Sequence, residues 1–345
     1  MSNQTLTEIV QNCGIRTLLD SDCASAIFTK IARSSSKNYL GISLMGEAKK
    51  TDSMKATLRQ YTQSAGVPLV TDDNSRGAEI DAGGFGEASF ELVGYKETRT
   101  LHADEIRLIC EAERAHCSLA QTEQAVNVIE VITKELVDRY MLFREKPFWE
   151  GVFGQINYET QAGTSLTVNT GTNVMPSLAA ADYWTNSATS TPIEDIEAMV
   201  LQMRDTGHKP AHIIMNAKTY AEFLGTGQVL DSGAACISSC RLEGAPMTTL
   251  LGMTLHVYDG FYTDSAGNTV RFIPDGQVVV LGSCGTSIGA KMFHAKNIDD
   301  RAGQSYGGYL STIFDDNPRQ DAYFMSFYGA PVFTHPLGIV TQQVF

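Results

Sequence analysis

The sequence lacks any segment that would insert it into a membrane or export it from a cell. No run approaches the ~18 apolar residues of a membrane span. Residues 1–20 also lack the basic patch and apolar core of a signal peptide. The seven cysteines form an odd and scattered set rather than a disulfide framework. That usage favours reduced thiols in a cytosol.

Basic charge is scarce in this chain. Lys and Arg total 26 against 39 Asp and Glu, which gives a formal net charge of −13. A DNA-binding protein needs a basic face to neutralise phosphates, and no cluster of Lys and Arg supplies one. An acidic excess suits a soluble enzyme, or a wall that encloses DNA without binding it. The 345 residues, 43% of them hydrophobic, are enough for about two folded domains.

Catalytic motifs are nearly absent. Gly285–Gly289 matches the GxSxG pattern and follows a predicted strand, as the nucleophile elbow of a hydrolase does. The partners of Ser287 would have to come from four residues, namely His294, His335, Asp299 and Asp315. In a chain with 30 glycines the pattern is unspecific, and a place in a turn or strand is the simpler interpretation for Ser287.

Metal and nucleotide motifs are incomplete. The candidate ligands are His208 with His212, Cys236 with Cys240, and the acidic pairs Asp299-Asp300 and Asp315-Asp316. The histidines have Pro210 between them and lack the glutamate of HExxH, and the cysteines have no CxxC partner. Acidic pairs more often lie in solvated loops than hold cations. There is no GxxxxGK[ST]. We therefore predict no catalytic, cofactor-binding or metal-binding residues.

The first half of the chain is predicted to contain an arm, an extended segment, a strand and one long helix. Residues 41–87 are poor in large apolar residues, and 71–87 are polar and dense in glycine. A structureless loop of this length is unusual inside a domain, so we expect an extended excursion that contacts another subunit. Residues 88–101 alternate as a strand does. Apolar residues then recur every three or four positions from about 115 to Pro147, where proline kinks or ends the helix.

The second half alternates short helices and strands. Thr191, Pro192 and Glu194 predict a capping box, and Gly207 ends the helix. A buried strand at 211–215 follows, and then a helix capped by Asn216. Within 252–282 we predict two strands joined by a polar turn, then a turn at Pro274-Asp275-Gly276 and a third strand. Residues 321–345 are rich in strand formers.

These pieces, in this order, resemble a known family. The resemblance rests on the segments TPIEDIEAMVLQM, AHIIMNAKTYAEFL, GMTLHVYDG, FIPDGQVVVLG and FMSFYGAPVFTHPLGIVTQQV. They are similar to the lambda-type major capsid proteins of tailed phages, the capsid protein E family, whose fold is the Hong Kong 97 phage capsid fold. The resemblance is most specific over 191–282 and 321–345.

The resemblance implies an α+β fold with four parts. Residues 1–40 would be an N-terminal arm, and 41–88 an extended β excursion, the E-loop, that lies over a neighbouring subunit. Residues 89–190 and 284–345 would form the peripheral domain, which contains the long spine helix. Residues 191–283 would form the axial domain.

The function implied is that of a structural protein of the virion. Copies would assemble in the host cytoplasm into hexamers and pentamers of an icosahedral head, which encloses the genome without sequence-specific DNA binding. A scaffolding protein, a portal protein and a decoration protein are the implied partners; no membrane, cofactor or enzymatic activity is implied. Two alternatives stay open: an encapsulin-like nanocompartment shell that packages an enzyme, and a serine hydrolase using Ser287.

Overall fold

A computed structural model describes residues 28, 30–61, 85–102, 104–105, 119–159, 165–231, 249–264, 266–284, 287–300, 305–316 and 319–345. Helices include α1 (Leu40–Met45), α2 (Leu119–Val152), α3 (Pro192–Asp205), α4 (Ala217–Gly225) and α5 (Gly227–Asp231). Most of the predicted arm and the Cys236–Cys240 pair lie outside the described residues. No helix within the described ranges is both long and apolar enough to cross a membrane.

Strands make up most of the remaining described structure. In the first half of the chain they are β1 (Lys49–Thr51), β2 (Lys55–Tyr61), β3 (Phe85–Glu91), β4 (Val93–Thr100), β5 (Gln155–Glu159), β6 (Ser165–Asn169) and β7 (Asn173–Val174). In the second half they are β8 (Lys209–Met215), β9 (Thr249–Leu250), β10 (Met253–Val257), β11 (Phe261–Thr263), β12 (Thr269–Arg271), β13 (Gln277–Cys284), β14 (Ser287–Ile288), β15 (Ala290–Ala295), β16 (Gly308–Asp316), β17 (Arg319–Phe333) and β18 (Ile339–Gln343).

The first sheet is organised around β17, the longest described strand. It pairs antiparallel with β16, β4 and β15, and β1 adds to β15 in parallel. Helix α2 packs on this sheet through aromatic side chains. The rings of Tyr140 and Phe143 meet Phe327 edge-on, with centroids 5.2 and 5.6 Å apart. Edge-to-face contacts of this kind stabilise a core beyond the area that they bury.

The second sheet has the order β7-β18-β13-β8-β10-β9, and β14 pairs with β13. Its central strand, β13, contains the continuous apolar run Val278–Leu281. Val278 and Val280 belong to the core beneath α3, whereas Val279 and Leu281 belong to the core that contains α2. Because side chains alternate across a strand, a strand buried on both faces needs a continuous apolar run. The predicted strand of this stretch is confirmed.

The last strand joins the second sheet rather than the first. β18 lies antiparallel to β13, with Val340 opposite Val280. The segment 284–345 therefore contributes β15, β16 and β17 to one sheet and β14 and β18 to the other.

Helix α2 is longer at its C-terminal end than the sequence pattern predicts. The prediction that proline could end it is wrong, because the helix continues through Pro147 to Val152 and spans about 51 Å. Phe148 and Trp149 follow the proline, and both are fully buried. Proline removes one helical hydrogen bond, but burial of two large aromatic side chains outweighs that cost.

The predicted capping box of α3 is wrong. The Thr191 side chain makes no cap hydrogen bond, and Gln228 Oε1 instead accepts from the Ile193 N–H at 2.9 Å. The other two helix signals are confirmed. Gly207 follows the end of α3 with φ +79°, and Asn216 Oδ1 caps α4 by accepting from the Thr219 N–H at 2.8 Å.

The stretch 252–282 is more divided than predicted. Its first predicted strand is two strands: β10, which joins the second sheet, and β11, which forms a separate hairpin with β12. The Pro274–Gly276 turn is confirmed, since the Gln277 N–H donates to the Pro274 carbonyl at 3.2 Å. A Cβ at Gly276 would lie 2.5 Å from the Phe345 carbonyl oxygen. Glycine is therefore required where the turn meets the end of the chain.

One buried carboxylate, that of Glu145 on α2, joins three parts of the fold. Its Oε1 accepts from the Gly41 N–H at 2.8 Å, the Trp149 Nε1–H at 2.7 Å and the Tyr258 hydroxyl at 3.0 Å. Its Oε2 accepts from the Ile42 N–H at 2.8 Å. Burial raises the pKa of Glu145, and the four hydrogen bonds oppose that shift. The carboxylate thus ties the first turn of α1 and the segment after β10 to the long helix.

Replacing Glu145 should destabilise the subunit strongly. The variant Glu145→Ala leaves four buried donors without their acceptor, so we expect the free energy of unfolding to fall by at least about 3 kcal/mol. Glu145→Gln keeps one acceptor oxygen and should lose less. Urea unfolding of the purified subunit measures both. The control Glu130→Ala removes an exposed glutamate of the same helix and should change stability by less than about 0.5 kcal/mol. Equal losses for the two alanine variants would contradict this role.

His294 should make the fold sensitive to acid. Burial, with nearby Arg144 and Lys50, lowers its pKa to about 3, and its Nε2 has no hydrogen-bond partner among the described residues. Below about pH 6.5, His294 is protonated in the unfolded chain but stays neutral in the folded chain. The free energy of unfolding therefore falls as the pH falls, by up to about 1.4 kcal/mol per pH unit.

The variant His294→Leu should lose that part of the pH dependence. Urea unfolding at pH 7, 6 and 5 should give a shallower slope for His294→Leu than for the parent protein. His102→Leu, at an exposed histidine, should leave the slope unchanged. Parallel slopes for the parent and His294→Leu would contradict the assignment.

Candidate assembly surfaces

The structure does not build the hydrolase site that was the alternative interpretation of the GxSxG pattern around Ser287. Ser287 begins β14, which pairs back onto Cys284 of β13, and β15 follows directly. A nucleophile elbow needs a strand, a sharp turn and then a helix, and no helix follows here. His294 is buried inside the core, with its ring edge-on to Phe327 at 5.4 Å. His335 instead contacts the ring of His208, with centroids 5.9 Å apart.

The acidic pair Asp299-Asp300 accepts hydrogen bonds from nearby groups. Asp299 Oδ1 accepts from Lys96 Nζ at 2.7 Å, and Oδ2 accepts from the Tyr328 hydroxyl at 2.9 Å. Asp300 Oδ2 accepts from the Ser305 N–H at 2.7 Å. Asp315 and Asp316 lie at the end of β16, where it pairs with the start of β17. Across the described ranges, no three His, Cys, Asp or Glu side chains converge as metal ligands.

A two-stranded ribbon extends from the first sheet. Strands β2 and β3 pair with each other from Lys55↔Glu91 to Tyr61↔Phe85, and with no other described strand. Seven residues of strand span about 23 Å. The ribbon begins where the Leu92 N–H donates to the Met54 carbonyl at 2.8 Å. Isolated two-stranded ribbons are marginally stable and leave two backbone edges unpaired, so this one is suited to pair with another chain.

Most of the ribbon lies inside the segment 41–88 that was predicted to be an extended excursion, and β3 continues past it to Glu91. The start of that segment is not extended, because α1 is helical and packs against α2 through Glu145. Strand β1 then joins the first sheet. The chain therefore leaves the body of the subunit only after Met54.

An apolar groove runs beside the C-terminal half of α2. It has a volume of about 620 Å³ and is bordered by α2, β4 and the β5/β6 hairpin. A second hollow of about 420 Å³ continues it toward the β11/β12 hairpin, and the two share Lys146 and Asn157. Two of the lining side chains are apolar and exposed: Leu166 of the groove and Val174 of the second hollow, with exposed fractions of 51% and 56%. Exposed apolar side chains grouped around a hollow are typical of protein contact surfaces.

One group at the floor of this groove has an unusual environment. The Tyr158 hydroxyl is buried and has no hydrogen-bond partner among the described residues. Burial, with the nearby charge of Glu150, raises its pKa. At the junction of the two hollows, Lys146 Nζ lies 5.4 Å from the centre of the Tyr262 ring and 3.5 Å from Glu150 Oε1.

The structure pairs the histidines differently from the sequence pattern. His212 does not face His208 as a helical i,i+4 pair would, because both lie in or beside the extended strand β8. Instead His212 Nδ1 lies 3.1 Å from His256 Nε2 on the neighbouring strand β10. Sequence reasoning missed His256, whose only signal was its place in a strand that could align with β8.

Comparison with known protein families gives one match. The family described as phage major capsid protein E matches residues 28–303. This range includes the ribbon, helix α2 and all of the second sheet except β18, and it ends before β16 and β17 of the first sheet. A comparison with curated protein sequences found no match.

Solved structures share the fold at low sequence identity. The proposed capsid protein of a prophage of E. coli CFT073 is 17% identical, with a TM-score of 0.62 over 95% of this chain and 99% of that one. A phage-related protein of Bordetella bronchiseptica RB50 is 12% identical, with a TM-score of 0.57 over 92% and 96%. A chain of Mycobacterium phage Ogopogo is 13% identical, with a TM-score of 0.51 over 89% and 92%.

The predicted fold class is therefore confirmed as α+β, of the Hong Kong 97 phage capsid type. The family consists of structural proteins that form the shell of the virion, and it is not an enzyme family. The chain belongs to the phage major capsid protein E family.

Proposed function

We propose that this chain assembles into hexamers and pentamers that close an icosahedral head around phage DNA. The observation that carries the proposal is the family match over residues 28–303, together with a ribbon whose edges pair with no other described strand. Such edges gain their hydrogen bonds from neighbouring copies, and head-to-tail contacts between identical subunits close into rings.

The two sheets suit the predicted division of the subunit. We assign the first sheet and α2 to a peripheral domain (89–190 and 284–345), and the second sheet with α3 and α4 to an axial domain (191–283). Residues 41–88, which contain β2 and the first part of β3, would be the E-loop, and 1–40 the arm. Strands β7, β14 and β18 are exceptions, because they belong by sequence to the first domain but lie in the second sheet. Strand β1 is another, because it lies within 41–88 but joins the first sheet.

The charge of the chain suits a wall around DNA. With a formal net charge of −13, the subunit would enclose DNA without binding it specifically. We expect assembly in the host cytoplasm with a scaffolding protein and a portal protein, and then the addition of a decoration protein. The family and the fold leave these partners unassigned, so they are proposals from the resemblance.

Electron microscopy of the purified, untagged protein tests the assembly. We expect closed icosahedral shells of uniform size, because a shell subunit carries its own contact surfaces. Particles isolated from producing cells should contain DNA and a portal. Enzyme cargo in place of DNA would favour a nanocompartment shell, and a protein that stays monomeric or dimeric at high concentration would contradict the proposal.

Removing the segment between β2 and β3 should separate folding from assembly. Replacing residues 62–84 with Asn-Gly keeps the seven β2/β3 pairs and closes them with a tight turn. We expect the subunit to unfold within a few degrees of the parent temperature, since the body of the fold is untouched, but to form no closed shells. Thermal unfolding and electron microscopy of the same sample measure the two properties. Normal shells from this variant would contradict the assignment of 41–88 as the E-loop.

A further inference from the structure

Two histidines on neighbouring parallel strands face each other in the second sheet. In the register of β8 and β10, His212 lies opposite Thr254 and Ile214 lies opposite His256. Both histidines therefore point to the same face of the sheet, two positions apart. His212 Nδ1 lies 3.1 Å from His256 Nε2, and the ring centroids are 5.2 Å apart at 44°. Both side chains are half-buried, so solvent reaches the pair.

The pair has the protonation state that a metal ion requires. Burial lowers the pKa of His212 and, with repulsion from His212, that of His256. Both rings are therefore neutral at physiological pH, and neutral imidazole is the form that binds metals.

The separation of the two nitrogens also fits a metal site. Metal–nitrogen bonds of about 2.0–2.1 Å, set at about 90–110° to each other, place two ligand nitrogens about 2.9–3.4 Å apart. The observed 3.1 Å lies within that range. Each ring would need to turn about its Cβ–Cγ bond so that its lone pair points at a shared ion. The torsion at that bond is broad in histidine, so the turn costs little.

We propose that His212 and His256 bind one late first-row divalent metal ion, of the class of Ni²⁺, Cu²⁺ and Zn²⁺. Imidazole suits these ions, whereas Mg²⁺ and Ca²⁺ prefer oxygen ligands. Among the described residues the two imidazoles are the protein ligands, and water occupies the other coordination positions. The ion links β8 to β10 through side chains, in addition to their backbone pairing.

The chain contains its own control in a second histidine pair. His208 and His335 also contact each other, with ring centroids 5.9 Å apart at 57°, but His208 Nδ1 lies 3.1 Å from the Thr206 hydroxyl oxygen. Among the described residues, no hydrogen bond joins a nitrogen of His208 to a nitrogen of His335, whereas one joins His212 to His256, and metal binding would replace it. We therefore expect substitution of His212 or His256 to weaken metal binding, and substitution of His208 and His335 to leave it unchanged.

Calorimetric titration of the untagged, full-length protein with Ni²⁺ tests the site. Ni²⁺ is used because Cu²⁺ oxidises thiols, and the chain has seven cysteines. We expect one site per subunit and a rise in the unfolding temperature with Ni²⁺ concentration, because the ion binds the folded form. His212→Gln and His256→Gln should each weaken binding by about tenfold or more, since loss of an outer-shell partner alone costs about 10–100-fold. The double control His208→Gln/His335→Gln should bind as the parent does.

Two results would overturn the proposal. One is unchanged Ni²⁺ affinity in both His212→Gln and His256→Gln; the other is an equal loss in the control pair. Should either variant fail to fold in EDTA, the parent protein decides by itself. Of its seven histidines, one equivalent of Ni²⁺ should protect two, His212 and His256, from modification by diethylpyrocarbonate, as peptide mapping by mass spectrometry measures. Equal modification of these two residues with and without Ni²⁺ rejects a two-histidine site.

Discussion

The fold depends on a single buried carboxylate. Glu145 lies in the second half of α2, where it accepts hydrogen bonds from the first turn of α1, from Trp149 one turn later, and from Tyr258 just after β10. Because a buried charge is costly unless its hydrogen bonds are satisfied, these donors must stay together. Gly41 permits the close approach, since a Cβ there would lie 2.4 Å from the Phe148 ring. The long helix is thus fixed to both flanking parts of the chain.

This connection explains why two sheets behave as one body. Helix α2 lies in a core that receives Met325 and Phe327 from the first sheet and Val279 and Leu281 from the second. The second sheet has a further core on its other face, beneath α3. Both faces of β13 are therefore dry, and its backbone pairs on both sides with β8 and β18. The central strand thus has its side chains buried and its backbone paired within the subunit. The β2/β3 ribbon and the apolar groove are the surfaces that we propose for contacts with other copies.

The sequence predicted elements that are determined locally. The strand at 211–215, the Asn216 cap, the end of α3 at Gly207 and the turn before β13 depend on a few adjacent residues, and all four are confirmed. Features that depend on distant partners were missed. Gln228 replaces Thr191 as the cap of α3 by accepting from the N–H of Ile193, which lies 35 residues earlier in the chain. Pro147 is tolerated because Phe148 and Trp149 have places in the core, and His212 meets His256 only through strand pairing. No local pattern contains that information.

The perturbed ionisable groups of this chain show how burial can imitate an active site. Glu145 has a raised pKa, and His294 has a lowered one, as catalytic acids and bases often do. Yet Glu145 is saturated by four donors, and the Nε2 of His294 is enclosed without a partner in the described structure. A catalytic group needs a free position beside a cavity that admits substrate. Here the cavities lie along the outer side of α2, lined largely by apolar and aromatic side chains. The shifted pKa values of Glu145 and His294 therefore reflect burial inside the body of the subunit rather than a catalytic site.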